Sequence, residues 1–211
     1  MFITFEGVEG SGKTLQIARA ESYLLSKGVR CLLTREPGGT EFGTSLRRVL
    51  LQSGGPPREP LSELLLYLAD RHQHLREVIE PALRQGCFVL CDRYHDATRA
   101  YQGGARRIPI ETIDSMARIL GIPDPDATIL LDIDPDAALS RARRRNCSAA
   151  APDDEGRFEA EDISFHRNVR AAYLDLAHRF PERIHVIDAS GTPDDVFAGI
   201  LPLLEGWIAH R

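Results

Sequence analysis

Cysteine is scarce in this chain, with four in 211 residues: Cys31, Cys87, Cys91 and Cys147. Their spacing matches neither a zinc site nor a redox CxxC pair. Cys87 and Cys91 fall in one apolar segment that reads as a strand. Four strand residues separate Cα atoms by about 13 Å, whereas a disulfide spans less than about 7 Å. These two thiols cannot pair, and reduced thiols in a cytoplasmic protein are expected. Long apolar runs are missing too: no stretch approaches the roughly 20 residues that cross a bilayer. Met1-Phe2-Ile3-Thr4-Phe5-Glu6 carries no charged region ahead of an apolar run, so no signal peptide is expected. Nor is there an excess of positive charge, the formal net charge being -5. That excludes general nucleic-acid binding through the whole surface, while leaving room for a local basic site that holds a small anion. No internal repeat appears.

What is present is ordinary globular composition, 43% hydrophobic and 27% charged. The length suits one α/β domain, given domains of roughly 100–200 residues. Short apolar runs at 2–5, 29–34, 87–91, 128–132 and 184–187 are predicted strands. Amphipathic segments lie between them. Phe165, Val169, Ala172, Tyr173 and Leu176 follow helical spacing, as do Val196, Ile200, Leu204 and Trp207, with Thr192 as N-cap and Pro193 at N1. The alternation predicts a parallel sheet covered by helices on both faces. Residues 54–57 read as a loop. Residues 146–156 are small and polar and follow an arginine cluster, which suggests a lid over 141–160 within a single domain of residues 1–211.

Gly7-Val8-Glu9-Gly10-Ser11-Gly12-Lys13-Thr14 satisfies G-x-x-x-x-G-K-[ST] between a strand and a helix, the context this phosphate-binding loop requires. The helix that follows has Leu15, Ala18, Leu24 and Leu25 as its expected apolar positions. Glycines let backbone N–H groups turn toward phosphate oxygens, and the helix N-terminus adds partial positive charge. Lys13 is expected to reach the β- and γ-phosphates of ATP, and the Thr14 hydroxyl to ligate Mg²⁺. Asp92, at the end of a neighbouring strand, is the carboxylate expected beside that ion.

Three further pieces point to a second anionic ligand. Thr34-Arg35-Glu36-Pro37-Gly38-Gly39-Thr40 places an arginine at a strand's C-terminal end, aimed at the same crevice. Asp92-Arg93-Tyr94 does likewise. Tyr67 and Arg71, four apart on one helical face, offer an aromatic plate and a planar donor fork, which suits a base. The residues themselves leave three classes open: a nucleoside-monophosphate kinase, a kinase for another nucleotide or a deoxynucleoside, and a P-loop regulatory NTPase. The last lacks support from an Asn-Lys-x-Asp guanine-reading motif.

These segments, together with Ala100-Tyr101-Gln102-Gly103 and Leu131-Asp132 before Pro135, make the sequence similar to the thymidylate kinases over nearly its whole length. The resemblance implies a five-stranded parallel sheet in a P-loop NTPase three-layer fold, a mobile lid, and commonly a homodimer. It implies transfer of the ATP γ-phosphoryl to dTMP, giving dTDP and ADP. By the same resemblance, Arg35 and Arg93 hold the dTMP phosphate, with Arg93 also reaching the transferring group. Tyr67 stacks the thymine and Arg71 hydrogen-bonds its O4. Gln102 lies near the base edge, Tyr101 crowds the sugar's 2′ position, and Glu9 contacts the 3′-hydroxyl. One branch of the family has arginine at the position of Gly10. This sequence resembles the bacterial branch, whose lid supplies the cations, here Arg141, Arg143, Arg145 and Arg157. The transferring phosphoryl needs such charge, whichever segment delivers it. The chain departs from the family at three places. Ala97 replaces a serine near the thymine edge, a hydrogen bond worth about 0.5–1.5 kcal/mol. Gly156-Arg157 replaces an Asp-Arg step after a longer lid. Arg107 stands where glycine is common.

Overall fold

The computed structural model describes residues 1–52, 58–148 and 156–210, with the side chains of 145–148 excepted. The predicted loop at 54–57 and residues 149–155 of the predicted lid at 141–160 therefore lie outside the described residues. Five strands form one parallel sheet: β1 (Phe2–Glu6), β2 (Cys31–Arg35), β3 (Phe88–Asp92), β4 (Ala127–Asp132) and β5 (Ile184–Asp188). Their spatial order is β2-β3-β1-β4-β5. All four neighbouring pairs are parallel. The chain runs from β1 outward to β2 on one side, then crosses back to β4 on the other. That reversal beside β1 is the switch point at which open α/β sheets bind ligands.

The helices are α1 (Lys13–Ser26), α2 (Glu41–Leu51), α3 (Pro60–His74), α4 (Glu80–Arg84), α5 (His95–Thr98), α6 (Ile110–Ile119), α7 (Pro135–Ser148), α8 (Ile163–Arg179) and α9 (Pro193–Ala209). π-helical turns at Leu75–Ile79 and Arg99–Ala105 extend α3 and α5, and Phe158–Ala160 is a 3₁₀ turn. The central strands are buried along almost their full length, as strands covered on both faces require. Alternate residues feed two cores. Ile3, Phe5, Phe88 and Leu90 pack with Ile17, Leu24, Val169 and Leu204 on one face. Phe2, Val89 and Cys91 pack with Leu64, Leu68 and Ile113 on the other.

Two helix ends match their sequence signals closely. Thr192 caps α9 in a full capping box with Asp195, and Pro193 follows at the first turn. The α8 positions Phe165, Val169, Tyr173 and Leu176 are buried. The α1 expectation needs correction: Leu15 and Leu25 are exposed, as is Ala18, while Gln16, Ile17, Ala20 and Leu24 are buried. The face is set by Lys13, which turns into the site. Positions four, seven and eleven residues later then face the sheet. Gln16 is buried because its amide donates to the Pro193 carbonyl at 2.9 Å. Three cysteines, Cys31, Cys87 and Cys91, are free thiols; the Cys147 side chain lies outside the described residues. Arg107 has φ 62, in the left-handed region. A non-glycine residue there costs about 1–2 kcal/mol, a strain that glycine would avoid.

Candidate functional site

Strand ends supply the site. The turn from β1 into α1 is made by Gly7-Val8-Glu9-Gly10-Ser11-Gly12. Gly7, Gly10 and Gly12 take positive φ of 140, 77 and 93. At Gly10 a Cβ would also overlap the Ala138 carbonyl of α7. A longer side chain such as arginine therefore has no room here. Gly10→Ala is expected to lower stability by about 2 kcal/mol or more, through strain and steric overlap together. Urea unfolding of the two proteins checks this.

Lys13 is buried, 7% exposed. Its ammonium donates back to the Gly7 and Val8 carbonyls at 3.1 and 2.9 Å and to Ser11 Oγ at 3.4 Å. Burial, then the neighbouring Arg93 charge, lowers its pKa to about 8. At the rim, the Thr14 hydroxyl donates to Asp92 Oδ2 at 3.4 Å. Asp92 ends β3 in register with Phe5 of β1, so the fold brings it beside the loop.

Arg93 follows with φ 68, a left-handed conformation in a residue with a side chain. Its guanidinium donates to the Gly7 carbonyl at 3.0 Å and to Glu9 Oε1 at 2.7 Å. It lies 5.0 Å over the Tyr101 ring. The Tyr101 hydroxyl in turn donates to Glu9 Oε2 at 2.6 Å. Burial alone would raise the Glu9 pKa, but Arg93, Lys13 and the Tyr101 hydrogen bond outweigh it and hold the carboxyl low. The π-helical turn Arg99–Ala105 delivers Tyr101 and Gln102 together; such widened turns recur at functional sites.

One continuous cleft of about 960 Å³ joins these groups to the far end. Glu9, Gly10, Lys13, Thr14, Arg35, Tyr67, Arg71, Asp92, Arg93, Ala97, Tyr101 and Gln102 all line it. Arg71 is 1% exposed and donates to Glu36, Thr98 and the Tyr94 carbonyl. Gln102 donates to the buried Glu63 carboxylate at 2.9 Å.

Of the arginines expected in a lid, those whose side chains are described are not gathered at Lys13. Arg141 donates to the Ala189 and Ser190 carbonyls, both at 2.8 Å, and lines a smaller cavity of about 330 Å³ with Gly10, Ser11 and Gly12. Arg143 is exposed and lines neither cavity. The Arg145 side chain lies outside the described residues. Arg157 pairs with Glu63 at 2.5 Å and donates to the Leu50 carbonyl at 3.0 Å, at the Tyr67 end of the cleft.

Sequence reading missed several residues that the structure places here. Arg47, Glu36 and Glu159 also line the cleft. Glu6, fully buried beneath the loop, accepts from the Tyr94 N–H and the Tyr173 hydroxyl, each at 2.7 Å. Burial, then the Asp96 charge, raises its pKa to about 7. Glu36 sits inside a segment already singled out for Arg35. Glu6 gave only the faint signal of a carboxylate ending an otherwise apolar strand.

A phosphate loop at the switch point of a β2-β3-β1-β4-β5 parallel sheet, opening into a cleft with a second cationic end, defines a P-loop NTPase-like α/β enzyme fold. The sequence model of the thymidylate kinase family matches residues 5–200, and the chain belongs to that family. It is 50% identical over 196 residues to the thymidylate kinase of Syntrophotalea carbinolica, covering 92% of this chain and 90% of that one. It is 46% identical over 206 residues to the thymidylate kinase of Desulfosudis oleivorans, covering 97% and 96%. The crystal structure of thymidylate kinase from Ehrlichia chaffeensis superposes with a TM-score of 0.77 at 34% identity, covering 97% of this chain and 98% of that one.

Proposed function

We propose that the protein transfers the γ-phosphoryl of ATP to dTMP, giving dTDP and ADP. The observation that carries this reading is the single cleft running from Lys13, past Arg93, to Tyr67 and Arg71. A donor nucleotide on the loop and an acceptor at the far end would meet at the arginine. The acceptor phosphate oxygen attacks the γ-phosphorus in line, and the bond to the ADP oxygen breaks. The attacking acceptor oxygen is already anionic, so no protein nucleophile or strong base is required. Positioning and charge are what the chain supplies.

Lys13 would turn from its loop carbonyls to the β- and γ-phosphates. Arg35 and Arg93 would hold the acceptor phosphate, with Arg93 also on the transferring group. Glu9 and Tyr101 would face the sugar, Tyr67 would stack the base, and Arg71 and Gln102 would face its edge. The Thr14 hydroxyl and Asp92 carboxylate fit a Mg²⁺, which takes oxygen donors and keeps phosphate and water ligands. When bound, that ion neutralises charge on the β- and γ-phosphates. We read the chain as a single domain whose lid, residues 141–160, closes over the cleft to exclude water and delivers cations among Arg141, Arg143, Arg145 and Arg157. Exposed Phe42, Val49, Leu61 and Leu65 on α2 and α3 support a homodimer, and free thiols support a cytoplasmic location.

A regulatory NTPase would leave the Tyr67–Arg71 end of the cleft idle. The test is ADP release from ATP and Mg²⁺ with and without dTMP. Addition of dTMP is expected to raise the rate at least about tenfold, since water is a poor acceptor in a closed site. ATP hydrolysis that dTMP leaves unchanged overturns the reading. Ala97 lines the acceptor end. Ala97→Ser is expected to lower the KM for dTMP by about three- to tenfold, the worth of one neutral hydrogen bond, with kcat little changed; steady-state kinetics of the two proteins decide.

A further inference from the structure

Behind Arg71, beneath the acceptor end, lies a buried polar chain through Thr34, His74 and Glu36, three residues that the mechanism above does not use. Thr34 Oγ1, on β2, is 2.7 Å from His74 Nε2. His74 Nδ1 is 2.8 Å from Glu36 Oε1. The other Glu36 oxygen accepts from Arg71 Nε at 2.7 Å. The two terminal nitrogens of Arg71 donate to Thr98 Oγ1 and the Tyr94 carbonyl, both at 2.8 Å. Glu36, Arg71 and His74 are all nearly inaccessible to water, at 3, 1 and 0% exposed.

A buried ion pair is stable only when further hydrogen bonds satisfy its remaining atoms. With its proton on Nδ1, His74 donates to Glu36 and accepts at Nε2 from the Thr34 hydroxyl. Each Glu36 oxygen then has one partner, and every nitrogen of Arg71 is anchored. Without those anchors an arginine of four rotatable bonds would sample many directions. The same stretch of α3 also clamps the loop after Arg35. Asp70 Oδ1 accepts from the Gly38 N–H at 3.0 Å. Gly39 lies so close to the His74 ring that a Cβ there would overlap it.

We propose that Glu36 and His74 are positioning residues for the acceptor. They aim Arg71 at the base and seat the loop that follows Arg35, so that one helix sets the distance between the base end and the phosphate end. This rests on reading Arg71 and Arg35 as acceptor-binding groups. Groups that orient a binding side chain act on affinity and selectivity through it.

The experiment measures kcat and KM for ATP, dTMP and dCMP in the wild type and in His74→Ala, His74→Asn, Thr34→Val and Arg71→Ala, with melting temperatures alongside. dCMP carries an amino group where thymine offers O4, so it reports on the aim of Arg71. His74→Ala is expected to raise the KM for dTMP about tenfold and to shrink the dTMP-over-dCMP preference by a similar factor. The KM for ATP is expected to stay within about twofold, and His74→Asn, whose amide still donates to Glu36, to recover most of the loss. The proposal is overturned if His74→Ala leaves dTMP binding and preference unchanged, or weakens ATP and dTMP alike with preference intact. Should His74→Ala not fold, His74→Asn and Thr34→Val carry the test. Thr34→Val removes the outer hydrogen bond alone and is expected to raise the KM for dTMP about two- to threefold, with no change in either variant overturning the proposal. Arg71→Ala separates the two layers. A preference that survives it sinks the reading of Arg71 itself. A preference lost in Arg71→Ala yet kept in His74→Ala sinks the positioning role alone.

Discussion

Arg93→Ala is expected to lower turnover with dTMP by about a thousandfold or more, the scale on which an arginine at a transferring phosphoryl group acts. Arg93 touches the phosphate loop at Gly7 and Glu9 and lies over the Tyr101 ring, which the π-helical turn delivers from across the cleft. Its backbone supplies an internal control. At φ 68 an alanine keeps the left-handed strain and a glycine relieves it. Arg93→Gly should therefore be as inactive as Arg93→Ala while being more stable by about 1 kcal/mol. ADP-release kinetics and urea unfolding of the pair test both halves. Turnover within tenfold of wild type in either variant would remove Arg93 from the chemistry.

Lys13→Met is expected to lower turnover about a thousandfold, through loss of the cation that meets the β- and γ-phosphates, yet to make the nucleotide-free protein more stable. Burial, then Arg93, lowers the Lys13 pKa from 10.5 to about 8. The folded chain thus holds fewer protons than the unfolded chain between pH 8 and 10.5. Below pH 8 the lysine is charged in both states and the burial cost is fully present. As pH rises through that window the cost disappears. Its ceiling is about 3 kcal/mol. The three hydrogen bonds of the ammonium offset part of it, leaving an expected gain of about 1 kcal/mol at pH 7. The stability difference between variant and wild type should shrink from pH 8 to 10.5. A difference that does not vary with pH contradicts the assignment of its cause.

The parts legible in the sequence are those whose physics is local. Five apolar runs gave the five strands because a parallel sheet covered on both faces needs uninterrupted hydrophobic stretches. Glycines at fixed offsets marked the phosphate loop because their backbone conformations admit little else. Strand-end residues such as Arg35, Asp92 and Arg93 could be placed in one crevice because parallel strands present their ends together. Boundaries slipped where a cap intervened. Residue 29 looked like strand, but Gly28, in a left-handed turn, ends α1, and the Val29 N–H returns to the Leu24 carbonyl, so β2 starts at Cys31. What stayed hidden depends on partners far apart in sequence. Arg157 meets Glu63 across 94 positions, and His74 meets Glu36 across 38. No spacing rule relates residues brought together only by the sheet. The apolar face of α1 was misjudged for a related reason: a functional lysine, not a leucine, sets which side faces inward.

The measurement that bears most directly on the account is kcat/KM for a panel of acceptors, dTMP, dUMP, dCMP, dGMP, UMP and thymidine, with saturating ATP and Mg²⁺. Tyr67, Arg71 and Tyr101 predict dTMP first. They predict a margin of about ten- to a hundredfold over dUMP, which lacks only a methyl group, and a larger one over dCMP, whose amino group opposes Arg71. A different nucleotide in first place, or no acceptor that raises ADP release, would contradict it.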